Sequence, residues 1–338
     1  MQENQAKTFT TEQLFIQLLR TVLCNEPLPM AHVTFDEFKQ VIRLASRHDL
    51  AHMAYVAFER ADCLPTPETD EQRAFLQDAA DLVETAQYRY VKLEAEIEHI
   101  SKVFEREEID YMPMKGAVLR VLYADPWMRT SCDIDILVRE PNLDRAVNAL
   151  VAEGFKTDGV RNYHDVLLCC DDVNLELHHN LLERMPQSDA ILGTVWDHTV
   201  SKGHYHLETP AFFLYHHLAH MAHHFMGGGC GVRTVMDLWL LMHHSDYPAA
   251  DVLDLCQKGG LHTFAEQMCT LADVWFGDRE HTEQTRRVED FVLRGGAFGC
   301  ESQRHASGAA RHGKKRPGTP CHFHAVRGFE ICVSAVGR

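Results

Sequence analysis

The chain lacks three things. It has no apolar run long enough to cross a bilayer, and its first residues, MQENQAKTFTTEQ, are polar rather than signal-like. It has no CxxC pair. The eleven cysteines are scattered, and only Cys169 and Cys170 lie close together. An odd count without a leader points to reduced thiols, so a cytoplasmic protein is the expectation. Positive charge is also scarce, with 33 Lys and Arg against 49 Asp and Glu and a formal net charge of −16. That balance argues against a broad nucleic-acid footprint, which needs clustered Lys and Arg. The deficit is uneven. Residues 301–338 hold seven basic and two acidic residues, so the first 300 carry 26 against 47, a net −21.

What is present is a globular composition, 45% hydrophobic and 24% charged over 338 residues, enough for two or three domains. Residues 11–23 (TEQLFIQLLRTVL) place apolar side chains at helical spacing behind a threonine suited to cap them. Similar patterns run through 48–61 and about 71–107, with Pro65 and Pro67 between them. This first region, 1–107, reads as all-helical and shows no catalytic constellation.

The texture changes near residue 108. EIDYMPMKG reads as a short strand ending at a glycine, and AVLRVLYAD after it as a helix. A second strand, RTSCDIDILV, precedes the helix LDRAVNALVAEG, which stops at Gly154. HDVLLCC and VNLELHH are then two strands joined by a tight turn at Asp171-Asp172. This order predicts an α/β unit over 108–200. Helical patterns resume through PAFFLYHHLAHMAHHFM and VRTVMDLWLLMHH, with two more stretches to about 295, giving a helical domain over 201–299.

Alternation along a strand puts Asp133 and Asp135 on one face and Ile134, Ile136 and Val138 on the other. Glu176 lies on the polar face of its own strand with Asn174 and His178. If the two strands are neighbours, three carboxylates meet on one patch, which is costly unless a hard divalent cation sits among them. Two magnesium ions held there would suit an in-line displacement at phosphorus. Gly116 at a strand-to-helix turn offers backbone N–H groups to a triphosphate, and Lys115 and Arg129 offer positive charge beside it.

Taken together, MKGAVLRVLYADPWMRTSCDIDILV and NLELHH resemble the DNA polymerase beta-type nucleotidyltransferase superfamily. More narrowly, they resemble an uncharacterised bacterial nucleotidyltransferase family with a KG…R…DIDLLV core. The likeness covers roughly residues 10–300, its specific part being 112–180. It implies an α+β fold, in which a small nucleotidyltransferase unit with a mixed sheet is flanked by helical regions at both ends. It also implies a magnesium-dependent transferase that uses a nucleoside triphosphate. Asp133 and Asp135 would be the metal pair, Glu176 the third carboxylate, and Gly116 the start of the nucleotide-binding helix. Two departures bear on nucleotide choice more than on fold. Ala117 stands where the superfamily has Ser or Gly, and 17 positions separate Gly116 from Asp133.

Two further features stay open. His217, His220 and His224 share a helical face, so they either hold zinc, as in a metallohydrolase, or line the cleft between the helical domain and the α/β unit. Arg233 and Asp237, four apart, suit a helix-surface pair, although in the resembled family the same R-x-x-x-D pattern suggests that Arg233 reaches the nucleotide. The basic stretch 300–338 loses all periodicity. It reads either as a disordered arm or as an altered reading frame replacing a helical segment. The acceptor, a small molecule or a protein, is not legible. A catalytically silent nucleotide-binding or regulatory module is the competing reading.

Overall fold

The structure, a computed structural model, describes residues 9–30, 32–244 and 249–297. The tail discussed above therefore lies outside the described residues. Four helices come first: α1 (Thr11–Leu23), α2 (Phe35–Arg47), α3 (Ala51–Arg60) and α4 (Asp70–Arg106). Three of them start in the same way. Thr10, Thr34 and Thr69 each accept a hydrogen bond from the backbone three residues on, while Gln13, Glu37 and Gln72 reach back to the cap. These reciprocal boxes satisfy N–H groups that a helix start leaves without partners.

The sheet and its covering helices follow: β1 (Tyr111–Pro113), α5 (Gly116–Leu119), β2 (Asp133–Val138), α6 (Leu143–Ala152), β3 (Lys156–Arg161), β4 (Asp165–Cys170), β5 (Val173–His178) and α7 (Pro186–Leu192). A hairpin, β6 (Thr199–Lys202) and β7 (Tyr205–Glu208), completes the sheet. The strand order is β3-β4-β5-β2-β1-β7-β6. β2 runs parallel to β5 and β1 parallel to β7, and the other pairs are antiparallel. Asp171 and Asp172 both take positive φ (42° and 67°) at the β4–β5 turn. Two such residues give a hairpin turn whose twist matches the strands it joins.

One sheet face is apolar across its central strands. Ile134, Ile136, Val138, Leu175 and Leu177 pack there on Leu93, Ile100, Val103 and Phe104 of α4 and on Leu143, Ala146 and Leu150 of α6. The opposite face carries Met112 and Leu137 into a second, larger core. That core is built by α1–α3 together with α8 (Pro210–Met226), α9 (Val232–His243), α10 (Ala249–Lys258), α11 (His262–Phe276) and α12 (Glu283–Gly295). The two helical regions, distant in sequence, are thus one body. Arg20 donates to the Gly277 carbonyl at 2.6 Å, and the Ala297 N–H donates to the Arg47 carbonyl at 2.8 Å. Among the described residues no helix is long and apolar enough to cross a membrane.

The structure differs from the sequence reading in three places. The helix expected over AVLRVLYAD is only Gly116–Leu119 followed by a 3-10 turn at Arg120–Leu122. β3, β6 and β7 were not foreseen. β3 and β6 are edge strands whose side chains are almost all exposed, so they carry no apolar alternation to read. The β6–β7 hairpin also straddles position 200, so the sheet extends to Glu208.

A buried ion pair ties the sheet to the second core. Asp237 of α9, 0% exposed, accepts from Arg129 Nε and Nη2 at 2.9 Å each and from the Tyr123 hydroxyl at 2.8 Å. Removing the carboxylate strands a guanidinium away from water. Asp237→Ala is therefore expected to lower the unfolding free energy by about 3–5 kcal/mol. Denaturant titration checks this, and a loss below about 1 kcal/mol, the size of an exposed pair, contradicts the role.

Candidate active site

The parallel pairing of β2 with β5 sets Asp135 opposite Glu176, Asp133 opposite Asn174 and Leu137 opposite His178. Paired residues share a face, so the three carboxylates of the sequence reading meet on the face away from α4 and α6. Asp135 is the hub. It is 6% exposed, and its Oδ1 accepts from Lys115 Nζ at 2.7 Å and from His178 Nε2 at 3.0 Å. His178 Nε2 also lies 3.5 Å from Glu176 Oε2. The sequence reading put His178 on the polar face but assigned it no role. Its strand parity with Glu176 was the available signal.

Lys115 reaches Asp135 from an uncommon backbone. Its φ of 45° and ψ of −118° lie outside the regions that side-chain-bearing residues favour. Such a conformation costs on the order of 1–3 kcal/mol and persists only where its surroundings enforce it. Here the enforcing contacts are the Met114 N–H donating to the Asp135 carbonyl at 3.0 Å and the Leu119 N–H donating to the Lys115 carbonyl at 2.8 Å. Gly116 follows. A Cβ built on it would come within 2.0 Å of the Ser131 hydroxyl, so the turn admits no side chain there.

Electrostatics follow from this crowding. Burial works against the Lys115 ammonium, but the adjoining Asp135 outweighs it and holds the pKa well above the ordinary lysine range. Burial likewise opposes the Asp135 carboxylate, and Lys115 and His178 drive its pKa far below the usual range. His178, disfavoured as a cation by burial, is raised by its hydrogen bonds to Asp135 and Glu176. Asp133 takes the remaining strain. Burial first, then repulsion from Asp135 and Glu176, lifts it from 3.8 to about 6. Three acids are thus offset by the Lys115 ammonium, and each draws on the His178 ring or on a proton shared with its neighbours.

Asp135, Glu176 and His178 offer ligand atoms within 4.8 Å of one another, and His164, Asp165 and His178 form a second such group. A divalent ion fits the first patch chemically, because its two carboxylates offer oxygen atoms and a third acid, Asp133, is repelled by both. Asp135 and Glu176 supply the oxygen atoms of the first group, whereas Asp133 belongs to neither group. A protonated His178 would act as a counter-cation, not a ligand.

The other residues singled out by sequence lie around this centre. Arg129 is buried, with its guanidinium committed to Asp237 and to the Thr130 carbonyl. Arg233 does not pair with Asp237 along its helix. It binds Asp49 at 2.9 Å and the Thr130 carbonyl at 3.1 Å, because Asp237 points inward to Arg129 while Arg233 points to the loop before β2. The α8 histidines all have protein partners. His216 contacts Glu208 at 2.9 Å, His217 the Thr234 carbonyl at 3.1 Å, and His220 Glu183 at 2.7 Å. His223 meets the Glu183 carbonyl at 2.9 Å, and His224 meets His220 at 3.0 Å.

A glycine turn, two aspartates on the next strand and a third carboxylate on its parallel neighbour are thus gathered on one face of the sheet. Residues 36–277 match the family described as uncharacterised nucleotidyltransferase, and the chain belongs to that family. Neither a curated protein nor a solved structure matches the chain.

The raised Asp133 carboxyl makes metal-free stability depend on pH. Its pKa is above the unfolded value, so its contribution is present below about pH 4 and is lost as pH climbs through about 6. Asp133→Asn is therefore expected to melt at a higher temperature than the parent at pH 8 in chelator, and this advantage should vanish near pH 4. An advantage of equal size at both pH values contradicts the assignment.

Proposed function

We propose that the protein transfers a nucleoside monophosphate from a nucleoside triphosphate to an acceptor hydroxyl or phosphate, with magnesium at Asp133, Asp135 and Glu176. The observation that carries this reading is the register of β2 against β5, which gathers three carboxylates beside Lys115 at a glycine turn. When bound, divalent ions there neutralise phosphate charge and favour ionisation of the attacking group.

The chain's own residues have definable tasks. Lys115 cannot serve a phosphate and Asp135 at once. Nucleotide with its metal would take over Asp135, and the ammonium would be released onto the polyphosphate. His178 anchors the same Asp135 oxygen at 3.0 Å, which leaves the second oxygen to a ligand. Glu176, about one-third exposed on its side chain at 31%, is the carboxylate open to an incoming acceptor. It takes the acceptor proton as the acceptor oxygen bonds to the α-phosphorus, and the bond to the bridging oxygen breaks to release pyrophosphate. Such chemistry depends mainly on positioning and charge neutralisation.

The protein's cysteines support a reducing, cytoplasmic setting for this reaction. Every cysteine among the described residues is a free thiol. A histidine-based hydrolase draws no support from α8, whose rings bond to Glu183, Glu208, the Thr234 carbonyl and one another. The acidic balance favours a small-molecule or protein acceptor over a long polynucleotide.

Incubation with labelled nucleoside triphosphates, magnesium and cell extract is expected to yield a labelled product with the parent chain and none with Asp133→Asn or Asp135→Asn. An unchanged product with the double variant contradicts the reading. Glu176→Gln is expected to slow single-turnover transfer by about 100-fold or more while nucleotide affinity changes only a few-fold. A parent-like rate would show that Glu176 is a bystander.

A further inference from the structure

Arginines converge on the segment that leads into β2. Arg89 and Tyr90 of α4 face Arg120, Arg129, Thr130 and Ser131 across a narrow crevice, and Arg233 reaches the same Thr130. Three of these four guanidiniums are neutralised: Arg120 by Glu94 at 2.8 Å, Arg129 by Asp237 and Arg233 by Asp49. Arg89 is not. Among the described residues it makes no hydrogen bond or ion pair.

The sequence explains this. Positions three and four away on its helix face are Thr85, Ala86, Lys92 and Leu93, so none offers a carboxylate, although α4 is rich in acids elsewhere. Arg89 also lies within electrostatic reach of His52. Burial depresses that imidazolium first, and Arg233 and Arg89 add to the depression.

Beside Arg89 is a second group without a partner. Ser131 is 6% exposed, and its Oγ makes no hydrogen bond. Enclosing a hydroxyl without a partner is unfavourable, and a spacer there would be better as alanine. The hydroxyl is seated directly against Gly116, in the place a Cβ would take. On the helix side of the same turn, Ala117 brings no hydroxyl at all.

We propose that Ser131 and Arg89 bind the polyphosphate of the nucleoside triphosphate. The Ser131 hydroxyl donates to a phosphate oxygen at the Gly116 turn, and the Arg89 guanidinium neutralises the phosphates from the α4 side. This rests on the nucleotidyl-transfer reading and deepens it. It makes the first helical region, which shows no catalytic pattern in sequence, one wall of the nucleotide site. It also supplies from the strand side the hydroxyl that Ala117 leaves out.

The test is equilibrium binding by the full chain, in magnesium, of each of the four ribonucleoside triphosphates and of tripolyphosphate, which carries no base. Parent, Arg89→Ala, Arg89→Lys and Ser131→Ala are compared, each with an unliganded thermal melt. Arg89→Ala is expected to weaken tripolyphosphate and the preferred nucleotide alike by about tenfold or more, the size of a hydrogen bond to a charged group. Arg89→Lys is expected to recover part of that loss. Ser131→Ala is expected to weaken both ligands several-fold while its unliganded melt stays level or rises, which a packing role would not produce. Parent-like binding by Arg89→Ala and Ser131→Ala overturns the proposal and leaves the nucleotidyl-transfer reading standing. Loss of binding that tracks a lowered unliganded melt also overturns it. A parent chain that binds none of the ligands removes both.

Discussion

The repulsion among Asp133, Asp135 and Glu176 is the constraint that organises this protein. Three carboxylates on one sheet face would force neighbouring strands apart or take up protons, and neither happens fully. The opposite face is anchored by Ile134, Ile136, Leu175 and Leu177 under α4 and α6, so the strands cannot separate. Lys115 and His178 then share one oxygen of Asp135. That shared oxygen keeps one carboxylate ionised in a buried setting and leaves the excess charge on Asp133. Lys115 and His178 thus hold the cluster through a single carboxylate oxygen.

Rigidity around the cluster comes from elements outside the sheet. The Arg129–Asp237 pair fixes the segment before β2 to α9, and Arg233 fixes the same segment to Asp49 through Thr130. Both arginines donate to the Thr130 carbonyl that leads into β2. The α8 helix closes over the patch, and its histidines are kept in place by Glu183 and Glu208.

Parts of this arrangement were legible in sequence because they depend on local periodicity. The D-I-D-I alternation places Asp133 and Asp135 together wherever the strand goes, and the same period puts Glu176 on a polar face. The Asp171-Asp172 turn was readable because both residues tolerate positive φ. Spacing alone could not show partners across the fold. Arg233 and Asp237 stand one turn apart, yet each bonds to a residue more than a hundred positions away. His178 carries no signal beyond its parity, because its role arises only when β5 lies parallel to β2. The edge strands were missed because exposed strands have no apolar face to repeat. The charge of Lys115 is visible in the sequence, while the strained backbone that aims it at Asp135 has no sequence signature.

The central claim is that this patch is a divalent-metal site whose acids are held, in the metal-free chain, by Lys115 and His178. Titration with manganese, followed by electron paramagnetic resonance of the free ion, tests it directly on the parent, Asp135→Asn and Lys115→Met chains. The expected result is saturable binding by the parent, loss with Asp135→Asn, and tighter binding with Lys115→Met, because the competing ammonium is gone. Equal binding by all three would contradict the account.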